Sequence, residues 1–386
     1  MTADPLAGLI LAGFEGTEAS DPGVRALIEL GVGGFILFGR NVESPQQVHA
    51  LLRGIREAVG DRPVFFAVDQ EGGRVARLRA PLTVWPPLAE LGARGDAAQA
   101  EAMGKALASE IGALGFNLVF APVLDVRFEG TTDAIGDRSL GYDSAEVGRL
   151  GAALTRGIQS AGLLACGKHF PGHGHVTVDS HLELPVCTLP AETLHADHLP
   201  PFVTASSAGL GSVMTAHVRY PSVDAEAPAT FSRTWLHDIL RTELGFSGLV
   251  LTDDLEMGAV TNQGSESGGN EDRASRIAAA AVRSVRAGAD GLLICKDLDA
   301  VRASVAALHN TAENDATFLA TCLASLTRLQ DAATTYPARP VASSSLSAHI
   351  GVAAHLSLAD TIGTQPDGNS ADPTEAVDPA EGQPGA

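Results

Sequence analysis

The run Leu249-Val250-Leu251-Thr252 ends in two aspartates, Asp253 and Asp254. A carboxylate at the end of a buried strand can attack an electrophilic carbon, such as the anomeric carbon of a sugar, and form a glycosyl ester. The structural alternative is that such an aspartate caps the helix that follows. That alternative weighs more on Asp254, because neighbours in an extended segment face opposite ways. Residues 167–181 read GKHFPGHGHVTVDSH, with four histidines within thirteen residues. The glycines and Pro171 imply a loop that turns tightly and approaches a ligand. This loop could hold zinc, could simply expose its histidines to solvent, or could bind sugar hydroxyls and move protons. The zinc reading lacks an HExxH or a CxxC partner. In the third reading Lys168 and His169 point into a site as they leave a strand. Asp179 precedes His181 by two residues, and a carboxylate that accepts from one ring nitrogen orients the imidazole and raises its basicity. His181 then serves as proton donor to a leaving oxygen and as base toward water.

Further polar groups follow other apolar runs. In residues 68–77, VDQEGGRVAR, Asp69 can accept from sugar hydroxyls, and Arg74 and Arg77 can position it or the substrate. Gly72-Gly73 resembles a fragment of a phosphate loop, but neither GxGxxG nor GxxxxGK[ST] occurs there. Residues 136–141, GDRSLG, add Arg138 as a contact. Arg40-Asn41 and His217 occupy comparable positions, where a direct and a structural role are equally open.

Positioning these groups requires a scaffold that collects many strand ends. Eight apolar runs are read as strands, at 8–11, 34–38, 64–68, 117–121, 163–166, 212–215, 249–252 and 291–295. Helix-like stretches separate them. Ser44-Pro45 opens 46–59 with a capping residue and a proline at the first helical position. Residues 97–114 and 275–287 have helical composition, and 142–158 and 299–329 look like barrel-covering helices. Continuous apolar strands between helices imply a parallel sheet covered on both faces. The reading is an α/β chain with a single (β/α)8 TIM-type barrel at 1–336, because polar residues follow nearly every strand and a barrel gathers them all at one end. The competing open, doubly wound sheet gathers only those beside its switch point. Residues 337–386 are rich in Pro, Ala, Ser and acidic residues, and a disordered acidic tail with no catalytic part is expected there.

The chain has 386 residues, 45% apolar and 19% charged, with a formal net charge of −20. So acidic a surface disfavours nucleic acid and anionic membranes as partners. Cys166, Cys187, Cys295 and Cys322 form no CxxC pair and read as buried, reduced thiols. No stretch approaches the ~20 apolar residues of a membrane span, and the N-terminal flank lacks the basic residues of a secretory signal. A cytoplasmic location is expected.

Taken together, GVGGFILFGRN (31–41), AVDQEGGRV (67–75), GDRSLG (136–141), KHFPGHG (168–174), DSH (179–181) and TDDLEM (252–257) resemble a known family in order and spacing. The chain resembles the short, single-domain members of glycoside hydrolase family 3, the β-N-acetylglucosaminidases of bacterial cell-wall recycling. The resemblance runs from about residue 8 to about residue 329. It implies a retaining exo-β-N-acetylglucosaminidase that needs no cofactor or metal and acts on a small carbohydrate, a muropeptide or oligosaccharide carrying N-acetylglucosamine. It implies Asp253 as nucleophile, His181 as acid/base and Asp179 as its dyad partner. It further implies Asp69, Arg77, Arg138, Lys168 and His169 as sugar-binding residues. Two departures stand out. The family often has an aspartate after KHFPGHG, where this chain has His175. Longer relatives draw a carboxylic acid/base from a second domain, and none is expected here, so that role falls to His181. A phosphorylase on the same scaffold and a non-catalytic carbohydrate-binding barrel remain the alternatives.

Overall fold

A computed structural model describes residues 4–129, 134–176, 178–180, 182–262 and 272–364. Eight parallel strands close into a barrel: β1 (Ile10–Gly13), β2 (Gly34–Leu37), β3 (Phe65–Val68), β4 (Leu118–Val119), β5 (Leu164–Phe170), β6 (Ser212–Thr215), β7 (Leu249–Asp254) and β8 (Gly291–Ile294). Each strand pairs with its sequence neighbours, and β1 pairs with β8 to complete the ring. The closed ring excludes the doubly wound alternative. All eight expected strands are present, with two informative shifts. The first begins at Ile10, because Asp4 accepts from the N–H of Leu6 and winds Pro5–Leu9 into a 3-10 helix. The fifth runs on to Phe170, so Lys168 and His169 belong to a strand and not to the loop after it.

Helices cover the ring: α1 (Pro22–Leu30), α2 (Pro45–Val59), α3 (Ala97–Leu114), α4 (Ser144–Ser160), α5 (Pro200–Ser207), α6 (Arg273–Ala287), α7 (Leu298–Asn314), α8 (Ala316–Thr335) and α9 (Ala353–Gly363). A segment wound at the wider π pitch, Thr234–Glu243, lies between β6 and β7 in the chain and packs Trp235 on Phe170 of β5. Local chemistry sets the helix starts. Ser44 Oγ accepts from the Gln47 N–H with Pro45 in the first turn, and Asp96 and Asp272 cap α3 and α6 in the same way. The stretch expected as helix over 299–329 is two helices, because Asp315 turns its carboxylate onto the N–H groups of Thr317 and Phe318 and restarts the chain as α8.

The core fills the barrel and its helix layer, with Phe14, Phe35 and Phe66 in ring contact inside. Full burial of such side chains stabilises by ~1.5–3 kcal/mol each. All four cysteines are buried free thiols. Among the described residues no helix is long and apolar enough to cross a membrane.

The expectation of disorder from residue 337 is corrected in its first half. Residues 337–364 lie on the barrel and end in α9, with Leu346, Ile350, Ala359 and Ile362 buried. Four well-spaced apolar side chains suffice to hold a segment whose composition is otherwise that of a loop. Residues 365–386, the acidic remainder of the expected tail, lie outside the described residues.

Two polar knots tie the ends of the barrel. On the face where the strands end, Arg40, just after β2, donates from Nε to the carbonyl of Phe14 (3.0 Å) and from Nη2 to that of Cys295 (2.5 Å). It thereby clamps the seam between β1 and β8. On the opposite face, Asp290 accepts from Arg241 (2.7 Å), Arg328 Nε (2.8 Å), Ser325 (3.1 Å) and the Val250 N–H (2.9 Å). Its carboxylate is wholly buried, so removing it strands two guanidinium groups. Asp290→Ala is expected to cost about 3 kcal/mol, the low end for a broken buried pair because Arg328 reaches solvent. A urea titration followed by Trp85 and Trp235 fluorescence checks this, and an unchanged midpoint would refute it.

Candidate active site

Asp69, Arg138, Lys168, His169 and Asp253 converge at the C-terminal end of the barrel. The centre is a chain of buried charges. Lys168, on β5 and almost fully buried, donates from Nζ to Asp69 Oδ1 (2.7 Å) and contacts Glu71 Oε1 (2.6 Å). Arg138 forms a two-pronged pair with Glu71, Nε to Oε2 and Nη2 to Oε1, both 2.8 Å. Arg77 reaches Asp69 at 3.5 Å. Burial alone would raise the Glu71 carboxyl, but Arg138 and Lys168 outweigh it and hold it at about 2. Asp69 is likewise lowered against its burial by Lys168 and Arg77.

The hairpin that carries these carboxylates, Gln70–Gly72 paired with Val75–Ala76, needs a glycine turn. Gly72 and Gly73 have φ of +117° and +56°, in the left-handed region that other residues avoid. A Cβ on Gly73 would lie 2.9 Å from Pro87, so the turn also sits hard against the chain that follows. Arg74 does not reach Asp69. Its Nε pairs with Asp137 (3.1 Å) and its Nη2 donates to the carbonyl of Ala134 (3.1 Å), which holds the loop that presents Arg138.

His169 is oriented by Asp125. The Asp125 carboxylate accepts from His169 Nδ1 (2.6 Å), the His169 N–H (3.1 Å) and the His173 N–H (2.6 Å). Burial opposes its ionisation, but His169 and His173 more than compensate and hold it at about 2. The peptide bonds Lys168–His169 and Phe170–Pro171 are cis. His173 Nε2 meets Ser180 Oγ at 3.0 Å, and burial pulls the His173 imidazole down to about 4. His175 packs its ring on Phe128 (centroids 4.6 Å apart), which also stacks on the buried His198. Among the described residues no group of three or more His, Cys, Asp or Glu is arranged to hold a metal ion.

Asp253 is the penultimate residue of β7, half-buried, and its Oδ1 accepts from the N–H of Asp254 (2.8 Å). It lies close enough to His173 and to Cys295 to influence the ionisation of both. Asp254 has the structural part. Its Oδ1 accepts from the N–H of Glu256 (3.0 Å) and of Cys295 (3.3 Å), and its carbonyl accepts from His217 Nε2 (3.0 Å). His217 Nδ1 is in turn paired with Thr230 Oγ1 (2.8 Å). His217 therefore braces the strand end from behind. Arg40 clamps the β1–β8 seam, and Asn41 bonds the carbonyls of Phe14 and Gly16.

Asp179 lies in the loop after β5. Its carbonyl accepts from Leu182 N–H (3.0 Å). His181 lies outside the described residues. Its two neighbours are stitched to the segment that follows Asp253: the Ser180 carbonyl accepts from the Ala259 N–H (3.1 Å) and the Leu182 carbonyl from Asn262 Nδ2 (3.0 Å).

Sequence reading missed Glu71 and Asp125. Glu71 stands two residues from Asp69 in an extended segment, and that spacing places both on one face. Asp125 is a lone carboxylate in the apolar run PVLDV beyond β4, which is the signal a barrel-strand end gives.

Residues 11–331 match the model of the glycosyl hydrolase family 3 N terminal domain. A β-hexosaminidase of Thiobacillus denitrificans is 44% identical over 256 residues, 65% of this chain and 70% of that protein. One from Bordetella pertussis is 41% identical over 296 residues, 75% of this chain and 80% of its own length. Among solved structures, a glycoside hydrolase family 3 β-N-acetylglucosaminidase from Paenibacillus superposes with a TM-score of 0.83 at 35% identity, covering 94% of this chain and 68% of that one. NagZ from Neisseria gonorrhoeae in complex with N-trifluoroacetyl-D-glucosamine superposes at 0.74 and 32% identity, covering 92% and 96%.

Two carboxyls of this site titrate in opposite senses. Glu71 is depressed from 4.5 to about 2, so its stabilisation is complete above pH ~4.5 and is lost as pH falls toward 2. Asp254 is raised from 3.8 to about 7 by burial and by the nearby charges of Glu256 and Asp253, so it weakens the fold progressively as pH rises from about 4 to 7. Asp254→Asn keeps an acceptor for both N–H groups and cannot ionise. Its melting temperature relative to wild type should climb between pH 4 and 7 and then level off. For Glu71→Gln the deficit should be constant above pH 5 and shrink below it. Parallel melting curves across this range would contradict both assignments.

Proposed function

The chain belongs to glycosyl hydrolase family 3 and is a glycoside hydrolase; on that premise we propose that it removes terminal β-linked N-acetylglucosamine with retention of configuration. The observation that carries this reading is the meeting, at one end of the barrel, of a strand-end carboxylate, Asp253, with the paired charges of Asp69, Lys168 and Arg138. The first could attack the sugar and the second could hold it.

Asp69, Arg77, Arg138, Lys168 and His169 bind the hydroxyl groups of the terminal sugar. Lys168 and Arg138 supply donors held in place by Glu71, and His169 presents the ring nitrogen not bonded to Asp125. Because these side chains are already fixed by each other, little ordering remains to be done when the sugar arrives. The Asp253 carboxylate attacks C1 as the glycosidic C–O bond breaks. His181, oriented by Asp179, delivers its proton to the departing oxygen. In the second step the same imidazole takes a proton from water, the water oxygen bonds to C1, the ester bond to Asp253 breaks and the carboxylate is restored. The tethering of Ser180 and Leu182 to the chain just beyond Asp253 supports the assignment of the proton donor to this loop. The substrates this reading favours are peptidoglycan fragments carrying N-acetylglucosamine.

Wild type should release the chromophore from p-nitrophenyl N-acetyl-β-glucosaminide. Asp253→Ala should lower kcat by ~10³-fold or more while the protein stays folded, since a covalent catalyst is worth several kcal/mol of barrier. Proton NMR of the first product should show the β-anomer. An α-anomer, or near-normal turnover by the variant, would overturn the mechanism. N-acetylglucosamine 1-phosphate formed in phosphate buffer would mean that phosphate and not water accepts the sugar.

Lys168→Met should act mainly through loss of sugar binding, with kcat/KM down by ~10²-fold or more because Asp69 and Glu71 each also lose one of their two counter-charges. Initial-rate kinetics with the same substrate measure this, and an unchanged kcat/KM would remove Lys168 from the site.

A further inference from the structure

The family match ends at residue 331, yet the chain beyond it reaches back to the active-site face. It starts at the opposite face of the barrel. The Tyr336 carbonyl accepts from Asn117 Nδ2 (2.9 Å), the Val341 N–H donates to Ala113, and the Val341 carbonyl meets His49 Nε2 (2.8 Å). From there the segment climbs along α3. Midway sits Glu110, an α3 carboxylate at 1% exposure. Its Oε2 accepts from the Thr83 N–H (2.8 Å), and its Oε1 accepts from the Thr83 hydroxyl (2.7 Å), the Gly351 N–H (3.1 Å) and His355 Nδ1 (2.7 Å). One buried anion thus joins a helix of the barrel, the stretch after β3 and the C-terminal segment. Losing any of these donors leaves charge under-compensated in a buried place.

The contact continues upward. A Cβ on Gly351 would collide with the Pro81 carbonyl, and one on Gly363 would come within 3.4 Å of Glu90 and 3.7 Å of Pro86. Arg94 Nε donates to the Ile362 carbonyl (2.9 Å) at the end of α9. The stretch so braced leans directly on the hairpin of the site. The Gly73 N–H donates to the Trp85 carbonyl (2.8 Å), Trp85 is buried, and Pro86 and Pro87 cover the two glycines of the turn. That turn lies between Asp69 and Glu71 on one side and Arg77 on the other.

We infer that residues 337–364 are part of the sugar-binding apparatus: through Glu110 and the 81–94 stretch they position the hairpin that carries Asp69, Glu71 and Arg77. The inference rests on the proposed role of Asp69 and Arg77 in holding the sugar. Asp253 is set by β7 and by His217, neither of which touches this segment through the contacts above, so the effect should fall on substrate binding more than on the chemical step.

Four forms of the chain test it: one ending at Thr364, one ending at Tyr336, and the full chain with Arg94→Ala/His355→Ala or with Arg94→Ala/His355→Asn. Each is read by initial-rate kinetics on p-nitrophenyl N-acetyl-β-glucosaminide and by amide hydrogen exchange. The chain ending at Thr364 should match wild type. The chain ending at Tyr336 and the double-alanine form should raise KM by about tenfold while kcat changes far less, as expected when a binding wall shifts without the catalyst. Exchange should quicken across 69–94 and stay unchanged in β6 and β7. Asparagine at 355 restores a donor near Nδ1 and should recover most of the loss. Should the shortened chain fail to fold, the double-alanine form decides. Wild-type KM together with wild-type exchange across 69–94 in that form would overturn the inference, as would a uniform rise in exchange over the whole barrel. Should wild type itself release no chromophore, the proposed function fails and the exchange pattern still judges the positioning role.

Discussion

A buried charge must be paired, and this site is organised around that requirement. Lys168 and Glu71 are both almost fully withdrawn from water, where neither tolerates isolation. Their contact brings β5 to the loop after β3, and the Glu71–Arg138 fork brings in the loop after β4. Asp69 and Arg77, each partly exposed, extend the chain of charges outward. None of these side chains can relax without leaving a charged partner short of a counter-charge. The network therefore does for side chains what the barrel does for strands: it makes one position cheaper than all others. Preorganisation of this sort is what lets a site hold a polar ligand without first spending free energy on its own ordering.

The barrel was legible because its strands are short apolar runs punctuated by polar ends, and their period and bounds follow from burial on both faces. Ser212–Thr215 was read to the residue, since Gly211 and Ala216-His217 bracket it. What escaped was whatever depends on partners distant in sequence. Phe170 belongs to β5 because Ala216 donates to its carbonyl, and no local pattern announces that. Residues 337–364 have loop composition, and the partners that order them, Glu110, His49 and Arg94 among them, lie more than two hundred positions earlier.

The site was legible at its charged tips and not at its supports. Asp69, Arg138, Lys168, His169 and Asp253 stood out as polar groups at strand ends, and the structure gathers them. Their supports, Glu71 and Asp125, are carboxylates that never face a ligand in any obvious way; they are recognisable only once Arg138 and His169 are seen to be held by them. Arg40, Arg74 and His217 went the other way. Each has the chemistry of a ligand contact, yet each is consumed by backbone carbonyls or by a neighbouring loop. Residue type alone cannot separate a donor aimed at substrate from one aimed at the main chain.

The clamp at the barrel seam bears on how the chain comes to be folded. Arg40 bonds one carbonyl just beyond the first strand and one just beyond the last. During synthesis the guanidinium and the first of these are made early, while Cys295 emerges some 255 residues after Arg40. At ~5–20 residues per second that is an interval on the order of tens of seconds. Throughout it β1 has an open edge on the side where β8 will pair, a template for any passing strand. The last barrel strand thus closes the ring and also retires the chain's most persistent opportunity for mispairing.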